Sequence, residues 1–174
     1  TELARLNRVV TEFLAFARVP RPNRRVCLVE EVLESIRLLC AREAERREVR
    51  IEVDCPEEIP RAYLDAPQLQ QALLNIVLNG IQAMSSGGVL QMKAHHIAGT
   101  VMIRVRDSGP GIAPALRKRV FDPFYTTKGR GTGLGLAIAT RLVQAQGGSI
   151  SIQTAGGRGS VFQIELPLEV VGDE

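Results

Sequence analysis

Apolar side chains recur every three or four residues in four stretches of the chain, and this spacing predicts four helices. The predicted helices span residues 1–18, 29–47, 65–84 with Asp65 as N-cap, and a fourth stretch that starts among glycines near 131 and ends at 146. Alternating or β-rich stretches predict strands at 26–28, 49–54, 89–97, 100–106, 149–154 and 160–166. We expect an α+β fold, a two-layer α/β sandwich with helices on one face of a mixed, mainly antiparallel sheet, preceded by an N-terminal helical stem.

The first predicted helix carries an apolar seam, with Leu6, Val10, Phe13 and Leu14 at intervals of three and four. The seam fits the end of a coiled-coil or hairpin stem, and fits equally an amphipathic helix docked on its own domain. Two prolines among arginines follow and predict a short stiff linker. We expect a stem at 1–19, a linker at 20–25, a folded domain at 26–170 and a tail at 171–174. The second helix is expected to bury Val32, Leu33, Ile36, Leu39 and Cys40.

The third helix is apolar around most of its circumference and carries one polar line. The line consists of five amides spaced three, four, four and three residues apart, namely Gln68, Gln71, Asn75, Asn79 and Gln82. Residues at this spacing lie on one side of a helix. A buried amide without a partner costs roughly 1–3 kcal/mol. The line therefore predicts a polar ligand or an ion beside it, or else amides that cap neighbouring loops inside the core.

Two glycine-containing motifs carry the other candidate chemistry. Asp107 leaves a predicted strand and is followed by Gly109, Gly111 and Ile112, so a fixed carboxylate adjoins backbone that a flat ring can approach. The same run is also typical of a plain turn. Gly131-Thr132-Gly133-Leu134-Gly135-Leu136 opens the fourth helix, and free N–H groups at a helix start favour an anion such as phosphate. A glycine-rich helix entry without a ligand is the alternative.

Between these motifs lies the segment Phe121-Asp122-Pro123-Phe124-Tyr125-Thr126-Thr127-Lys128-Gly129-Arg130. Apolar anchors followed by a small, charged, glycine-bearing stretch are typical of a mobile lid. Lys128 and Arg130 are positioned to reach a polyphosphate, or else are solvated surface charges.

Composition narrows the function classes. The net charge of +3 comes from 22 basic and 19 acidic residues spread along the chain, aromatics make up 4% and Trp is absent, so we expect no nucleic-acid surface. The three cysteines form no C-x-x-C pair, which predicts a reducing, cytoplasmic setting and no structural metal. The chain begins at Thr1 and has no run of about 20 apolar residues. We expect a piece of a longer protein, with any membrane anchor upstream.

Taken together, the motifs resemble those of a known family. Asn75-x-x-x-Asn79, Asp107-x-Gly109-x-Gly111, Phe121-Asp122-Pro123-Phe124 and Gly131-x-Gly133-x-Gly135 follow the order and spacing of the N, G1, F and G2 boxes of sensor histidine kinases. Residues 26–168 are similar to their catalytic ATP-binding domain, of the gyrase, chaperone, histidine kinase and mismatch-repair (GHKL) superfamily. The amino-acid sequences of the first and third boxes are most similar to those of nitrogen-regulation-type sensor kinases.

The resemblance implies the Bergerat ATP-binding fold and ATP with Mg²⁺ as cofactors. Asn79 would hold Mg²⁺ through its side-chain oxygen, Asn75 would lie beside the phosphates, and Asp107 would accept a hydrogen bond from the adenine amino group. Asn75 and Lys128 are the expected catalytic residues, with no general base. The expected nucleotide-binding residues are Asn75, Asn79, Asp107, Gly109, Gly111, Ile112, Thr126, Thr127, Lys128, Arg130, Gly131, Thr132, Gly133, Leu134, Gly135, Leu136 and Ser160.

The resemblance further implies transfer of the ATP γ-phosphoryl group to a histidine on an upstream dimerisation hairpin, in a homodimeric protein served by a response regulator. His95 and His96 do not fit the phosphoacceptor motif, and we expect them to point to alternating faces of a strand. In hydrolysing relatives a Glu occupies the position of Asn75, so the amide favours transfer over hydrolysis. The alternatives are a nucleotide-binding regulatory module without transfer and a serine kinase of the same superfamily.

Two positions depart from the family pattern. Gly80 stands where Ala is commoner, and a glycine inside a helix costs about 1 kcal/mol relative to Ala. We expect it to loosen the helix without touching a ligand. Gln82 stands where many relatives carry Lys, which puts one phosphate contact in doubt.

Overall fold

The computed structural model describes residues 2–55, 59–128, 131–154 and 159–168. Its helices are α1 (Glu2–Ala17), α2 (Val29–Arg46), α3 (Ala66–Ala83) and α4 (Gly135–Ala145). Its strands are β1 (Arg25–Cys27), β2 (Val49–Asp54), β3 (Ala62–Leu64), β4 (Gly88–Ile97), β5 (Thr100–Asp107), β6 (Ser149–Thr154) and β7 (Ser160–Pro167). The predicted tail at 171–174 lies outside the described residues.

Five strands form the main sheet in the order β2-β4-β5-β7-β6. The β2–β4 pair is parallel and the other three pairs are antiparallel. Helices α2 and α3 pack on each other, and α3 packs on α4. The mixed, mainly antiparallel sheet with its helical layer confirms the predicted two-layer α+β fold.

Alternation along the strands sends one set of side chains into the core between the sheet and the helices. On β5, Val101, Ile103 and Val105 are buried, whereas Arg104 and Arg106 are exposed on the opposite face. The buried strand residues meet a helical layer whose largest fully buried side chains include Leu33, Ile36, Leu69, Leu73 and Ile76. The expectation for α2 was wrong at Leu39, which is 60% exposed, because the inner face of this helix continues through Cys40 and Ala44 instead.

Local signals explain where several elements begin and turn. Asp65 caps α3 by accepting a hydrogen bond from Gln68 N at 2.9 Å, as predicted. Ala98 and Gly99 join β4 to β5 with φ values of 47° and 74°, the backbone that a two-residue hairpin requires. The short β3, which pairs antiparallel with β1, was not predicted because a three-residue strand carries almost no periodicity.

Helix α1 forms as predicted and contacts the domain along one edge. Phe16 packs against the core, its carbonyl accepts a hydrogen bond from Arg141, and the Arg141 guanidinium lies 4.9 Å from the Phe16 ring centroid. The seam residues Leu6, Val10 and Leu14 remain more than half exposed, at 57%, 54% and 56%. The docked edge agrees with the prediction of a helix packed on its own domain, and the stem stays a prediction, with the apolar seam open.

The linker is hydrogen-bonded to the N-terminal end of α3. Gln68 donates to the carbonyl of Pro20 at 2.9 Å, and the Asn23 amide donates to Asp65 Oδ2 at 2.7 Å. Within the described ranges, no helix has the length and apolar character needed to cross a bilayer.

Candidate functional site

A cavity of about 810 Å³ opens between α3, the start of α4 and the ends of β5 and β7. This volume lies within the range of small-molecule and cofactor pockets. Apolar side chains form part of its wall, namely Leu78, Ile112, Leu116, Val120, Leu136 and Phe162. Polar groups of different character line the rest of it, so the cavity suits a ligand with a flat apolar part and a charged part.

At one end, Asp107 ends β5 with only 4% of its surface exposed. Its Oδ1 accepts hydrogen bonds from Gly109 N at 2.9 Å and from Ser160 N at 3.3 Å. Burial raises the pKa of this carboxyl, and the hydrogen bonds from Gly109 and Ser160 partly oppose that shift. The carboxylate is therefore held in a fixed orientation, with acceptor capacity left for a ligand.

Gly159 explains how Ser160 reaches this carboxylate. Its φ is +81°, and a Cβ added to it would lie 1.9 Å from the carbonyl oxygen of Asp107. Only glycine fits so close an approach in the left-handed region. The residue was missed by the motif analysis, although a glycine just before the last strand was a usable signal.

The predicted amide line divides along α3. Asn75, Asn79 and Gln82 line the cavity, whereas Gln71 is exposed outside it and Gln68 is buried at the linker. Gly80 also lines the cavity, and a Cβ there would lie 3.5 Å from Asp107 Cβ and 2.9 Å from Leu90 Cδ1. Gly80 thus adjoins the carboxylate, and its missing side chain leaves room beside it.

Lys128 binds the two C-terminal members of the amide line, Asn79 and Gln82. Its ammonium donates to Asn79 Oδ1 at 2.7 Å, to Gln82 Oε1 at 3.0 Å and to the Asn79 carbonyl at 3.5 Å. Burial lowers the pKa of Lys128, and the nearby positive charge of Arg47 lowers it further. Arg47 lines the same cavity and is paired with Glu43, whose Oε1 accepts from Arg47 Nε at 2.7 Å.

The glycine-rich run places the start of α4 beside Asn75. A Cβ on Gly135 would lie 3.8 Å from the side-chain amide of Asn75, so the helix start and this amide are neighbours. The first N–H groups of a helix have no partner within the helix and carry a partial positive charge. An anion beside Asn75 would therefore meet these N–H groups.

Gly133 allows the chain before α4 to pass the lid backbone. Its φ is +72°, and a Cβ on it would lie 2.4 Å from the carbonyl carbon of Phe124. Phe124 itself has φ of 65°, which for a bulky residue costs roughly 1–2 kcal/mol. The close approach of these two segments shapes the rim of the cavity.

The stem helix also reaches the cavity. The Thr132 hydroxyl donates to the carboxylate of Glu12, and Leu134 N donates to the Thr132 hydroxyl at 3.3 Å. Phe13 stacks on Phe124 with the ring centroids 6.3 Å apart. A carboxylate from α1 therefore lies at the glycine-rich run, beside the end of the cavity that favours anions.

Most predicted nucleotide-binding residues meet at this one cavity. Those that line it are Asn75, Asn79, Asp107, Gly111, Ile112, Thr126, Thr127, Lys128, Gly131, Thr132, Gly133, Gly135, Leu136 and Ser160. Gly109 and Leu134 are not among the lining residues. Gly109 donates its N–H to Asp107, and Leu134 is fully buried in the core. Arg130 lies outside the described residues. Glu12 and Arg47 also line the cavity but were not predicted, because no motif surrounds them and they reach it through tertiary packing.

The comparisons with known proteins agree on the type of domain. Residues 64–170 match the family model described as histidine kinase-, DNA gyrase B- and HSP90-like ATPase. The sensor histidine kinase ZraS of Salmonella typhimurium is 36% identical over 169 residues, which cover 96% of this chain and 36% of ZraS. The chain thus spans little more than a third of the length of this curated relative.

Solved structures give the same result. Full-length ShkA in complex with AMPPNP superimposes with a TM-score of 0.89 at 30% identity, covering 97% of this chain and 37% of ShkA. The histidine kinase ThkA, solved in complex with the response regulator protein TrrA, superimposes with a TM-score of 0.82 at 26% identity, covering 96% of this chain and 48% of ThkA.

Proposed function

The chain belongs to the histidine kinase-, DNA gyrase B- and HSP90-like ATPase family, and from this premise we propose that it is the catalytic ATP-binding domain of a two-component sensor histidine kinase. ATP occupies the cavity with adenine at Asp107 and the triphosphate between Asn75, Lys128 and the start of α4. The subgroup of nitrogen-regulation-type kinases stays a prediction.

One observation carries this proposal: a single cavity is lined by a buried carboxylate and also by a lysine ammonium and the start of a helix. The buried Asp107 carboxylate accepts hydrogen bonds at one end, as the exocyclic amine of adenine requires. Lys128, beside Asn79, and the start of α4, beside Asn75, favour negative charge in another part of the cavity. A nucleoside triphosphate has its donor amine and its anionic chain at matching ends.

The residues present also fit Mg²⁺. The side-chain oxygens of Asn79 and Gln82 both accept from the Lys128 ammonium, so these oxygens already bind one positively charged group. Mg²⁺ prefers oxygen ligands and shares phosphate oxygens with the protein. Asn79 would hold the metal through Oδ1, and the ion would neutralise developing phosphate charge.

The chain's own residues would act mainly by positioning. Phosphoryl transfer requires an aligned phosphate chain and neutralised charge more than covalent chemistry. Lys128 and the first N–H groups of α4 would orient the triphosphate. Asn75, an amide rather than a carboxylate, leaves no base at its position to activate water, which supports transfer over hydrolysis.

We extend the proposal to the whole protein through its relatives. ZraS is a sensor histidine kinase, and ThkA was solved with a response regulator protein. By this proposal, the γ-phosphoryl group passes to a histidine of a dimerisation hairpin to which α1 belongs, in a homodimer, and then to a response regulator.

Calorimetry with this chain tests nucleotide and metal binding. We expect Asn79→Ala to abolish the Mg²⁺-dependent part of ATP affinity and to leave binding of metal-free ATP nearly unchanged. Gln71→Ala is the matched control, because Gln71 lies on the same line of α3 but outside the cavity. Equal Mg²⁺-dependent affinity in Asn79→Ala and wild type would contradict the metal assignment.

Transfer is tested with the full-length natural protein, incubated with γ-labelled ATP and Mg²⁺. The proposal requires acid-labile label, as phosphohistidine is acid-labile. Acid-stable label would indicate a serine kinase instead. Nucleotide binding without label would indicate a regulatory module.

A further inference from the structure

Three oxygen atoms hold the ammonium group of Lys128 at a defined point of the cavity. They are Asn79 Oδ1, the Asn79 carbonyl and Gln82 Oε1, all near the C-terminal end of α3. Lys128 itself is half-buried and follows the exposed residues Thr126 and Thr127, 49 positions after Asn79 in the sequence. Its own amide donates to Thr126 Oγ1 at 3.0 Å. The side chain is thus anchored across the cavity rather than extended into solvent.

Among the residues that the structure describes, the acceptors bonded to this ammonium are all uncharged. A carboxylate at position 82 would also bind Lys128, but it would add negative charge beside the place proposed for phosphate. The Gln82 amide orients the ammonium and leaves its positive charge available for a ligand. Gln82 is therefore suited to hold a cation for an anionic group.

Asn79 and Gln82, the two residues that hold Lys128, differ in their expected roles toward the metal. Asn79 Oδ1 is the atom proposed to bind Mg²⁺, and one oxygen cannot receive the ammonium and the metal at the same position. Gln82 is exposed at the rim of the cavity and has no such second role. Nucleotide binding therefore requires Lys128 to leave Asn79, whereas its bond to Gln82 need not break.

We propose that Gln82 is the positioning residue of Lys128, keeping its ammonium at the phosphate end while Lys128 exchanges Asn79 Oδ1 for phosphate oxygens. This inference rests on the proposed function. It predicts that the Gln82–Lys128 pair contributes to affinity for the triphosphate and contributes nothing to affinity for the nucleoside.

The test compares calorimetric affinities for Mg-ATP and for adenosine, which lacks phosphates. Lys128→Gln is expected to weaken Mg-ATP binding by about 12-fold, equivalent to about 1.5 kcal/mol, the lower end of the range for one hydrogen bond to a charged group. Gln82→Leu keeps the size but removes the acceptor, and is expected to weaken it by about fivefold. Adenosine affinity should stay within about twofold in both variants, as for surface changes away from a ligand.

An exchange variant separates positioning from general structure. Gln82→Lys combined with Lys128→Gln places the ammonium on α3 and the amide on the lid segment. It should recover more of the Mg-ATP affinity than Gln82→Lys combined with Lys128→Ala, because a lysine at position 82 can contact phosphate unaided and only the exchange variant keeps an amide to hold it. Equal recovery in the two double variants would overturn the positioning role. Hydrogen exchange gives a readout independent of nucleotide, since Gln82→Leu should speed exchange of the amides at residues 126–128 in nucleotide-free protein.

The outcomes are distinct. Unchanged Mg-ATP affinity in Gln82→Leu, an equal loss for adenosine, or an exchange variant no better than Lys128→Gln would each overturn the inference while leaving the proposed function intact. A wild-type chain that binds no nucleotide would overturn both.

Discussion

Replacing Asp107 by Asn tests the adenine end of the cavity with almost no change in shape. The carbonyl oxygen of Asn can still accept from Gly109 N and Ser160 N, which bond Oδ1 at 2.9 and 3.3 Å in the wild type. The other carboxylate oxygen becomes an NH₂ group. A donor then faces the exocyclic amine of adenine, which is itself a donor.

The expected loss follows from the bond that disappears. A hydrogen bond to a charged group contributes about 1.5–3 kcal/mol, so ATP affinity should fall by about 10- to 150-fold. Inosine triphosphate carries a keto oxygen where adenine has its amine, and the new NH₂ group can donate to it. We therefore expect Asp107→Asn to lose ATP and to gain inosine triphosphate relative to wild type.

The stability of Asp107→Asn, unlike its ATP affinity, should not fall. Because burial raises the pKa of Asp107, the folded chain binds a proton more tightly than the unfolded chain does. The free energy of unfolding therefore falls as pH rises from the unfolded pKa through the raised folded pKa, and it stays reduced above that value. Asn carries no charge, so the variant should lack this fall and be at least as stable as wild type at pH 7.

Calorimetry with both nucleotides, together with thermal unfolding at pH 4 to 7, checks these expectations. Asp54→Asn is the control, since Asp54 is 41% exposed in an ion pair with Lys93 at the sheet edge. ATP affinity within about twofold of wild type would refute the adenine assignment. A variant of clearly lower stability at pH 7 would refute the reasoning about the buried charge.

Two further substitutions test the phosphate end. Gly133→Ala combines a left-handed φ with a Cβ 2.4 Å from the Phe124 backbone, whereas Gly99→Ala has the same kind of φ and open space. Calorimetry should therefore show that Gly133→Ala loses ATP affinity. Thermal unfolding should show that Gly99→Ala lowers the free energy of unfolding by only about 1–2 kcal/mol. Equal ATP affinity in the two variants would disprove the role of the close approach. Glu12→Gln keeps the acceptor for Thr132 but removes a negative charge, so ATP affinity should rise about two- to fivefold while adenosine affinity stays constant. Glu34→Gln, outside the cavity, is the control, and a rise in both variants would contradict a local effect.

The sequence predicted the layers of this fold well because each long element carries its own periodicity. The α3 cap at Asp65 and the hairpin turn at Ala98 and Gly99 follow from local chemistry alone. Leu39 and β3 were missed for a different reason. Whether an apolar position of α2 is covered, or three residues pair with a distant strand, depends on packing that local patterns do not contain.

The same division applies to the cavity. Asn75, Asn79 and Asp107 stand in spaced motifs, and the structure brings them to one cavity. Arg47 and Glu12 belong to no motif, since each reaches the cavity from the end or side of another helix. The bond between Lys128 and Gln82 was also unpredictable, because it depends on how the segment after Tyr125 folds back onto α3.

The two ends of the cavity differ in how firmly they are held, and this difference has a consequence for coupling to the stem. Around Asp107, buried backbone hydrogen bonds and the Gly159 contact fix the geometry. At the phosphate end, the contacts of Lys128 and of Glu12 with Thr132 join exposed or half-buried side chains that can exchange partners. A triphosphate must displace Lys128 from Asn79 and must meet the Glu12 carboxylate at the glycine-rich run. Any coupling between nucleotide and stem should therefore depend on phosphate, so that adenosine leaves the contacts of α1 unchanged while ATP weakens them.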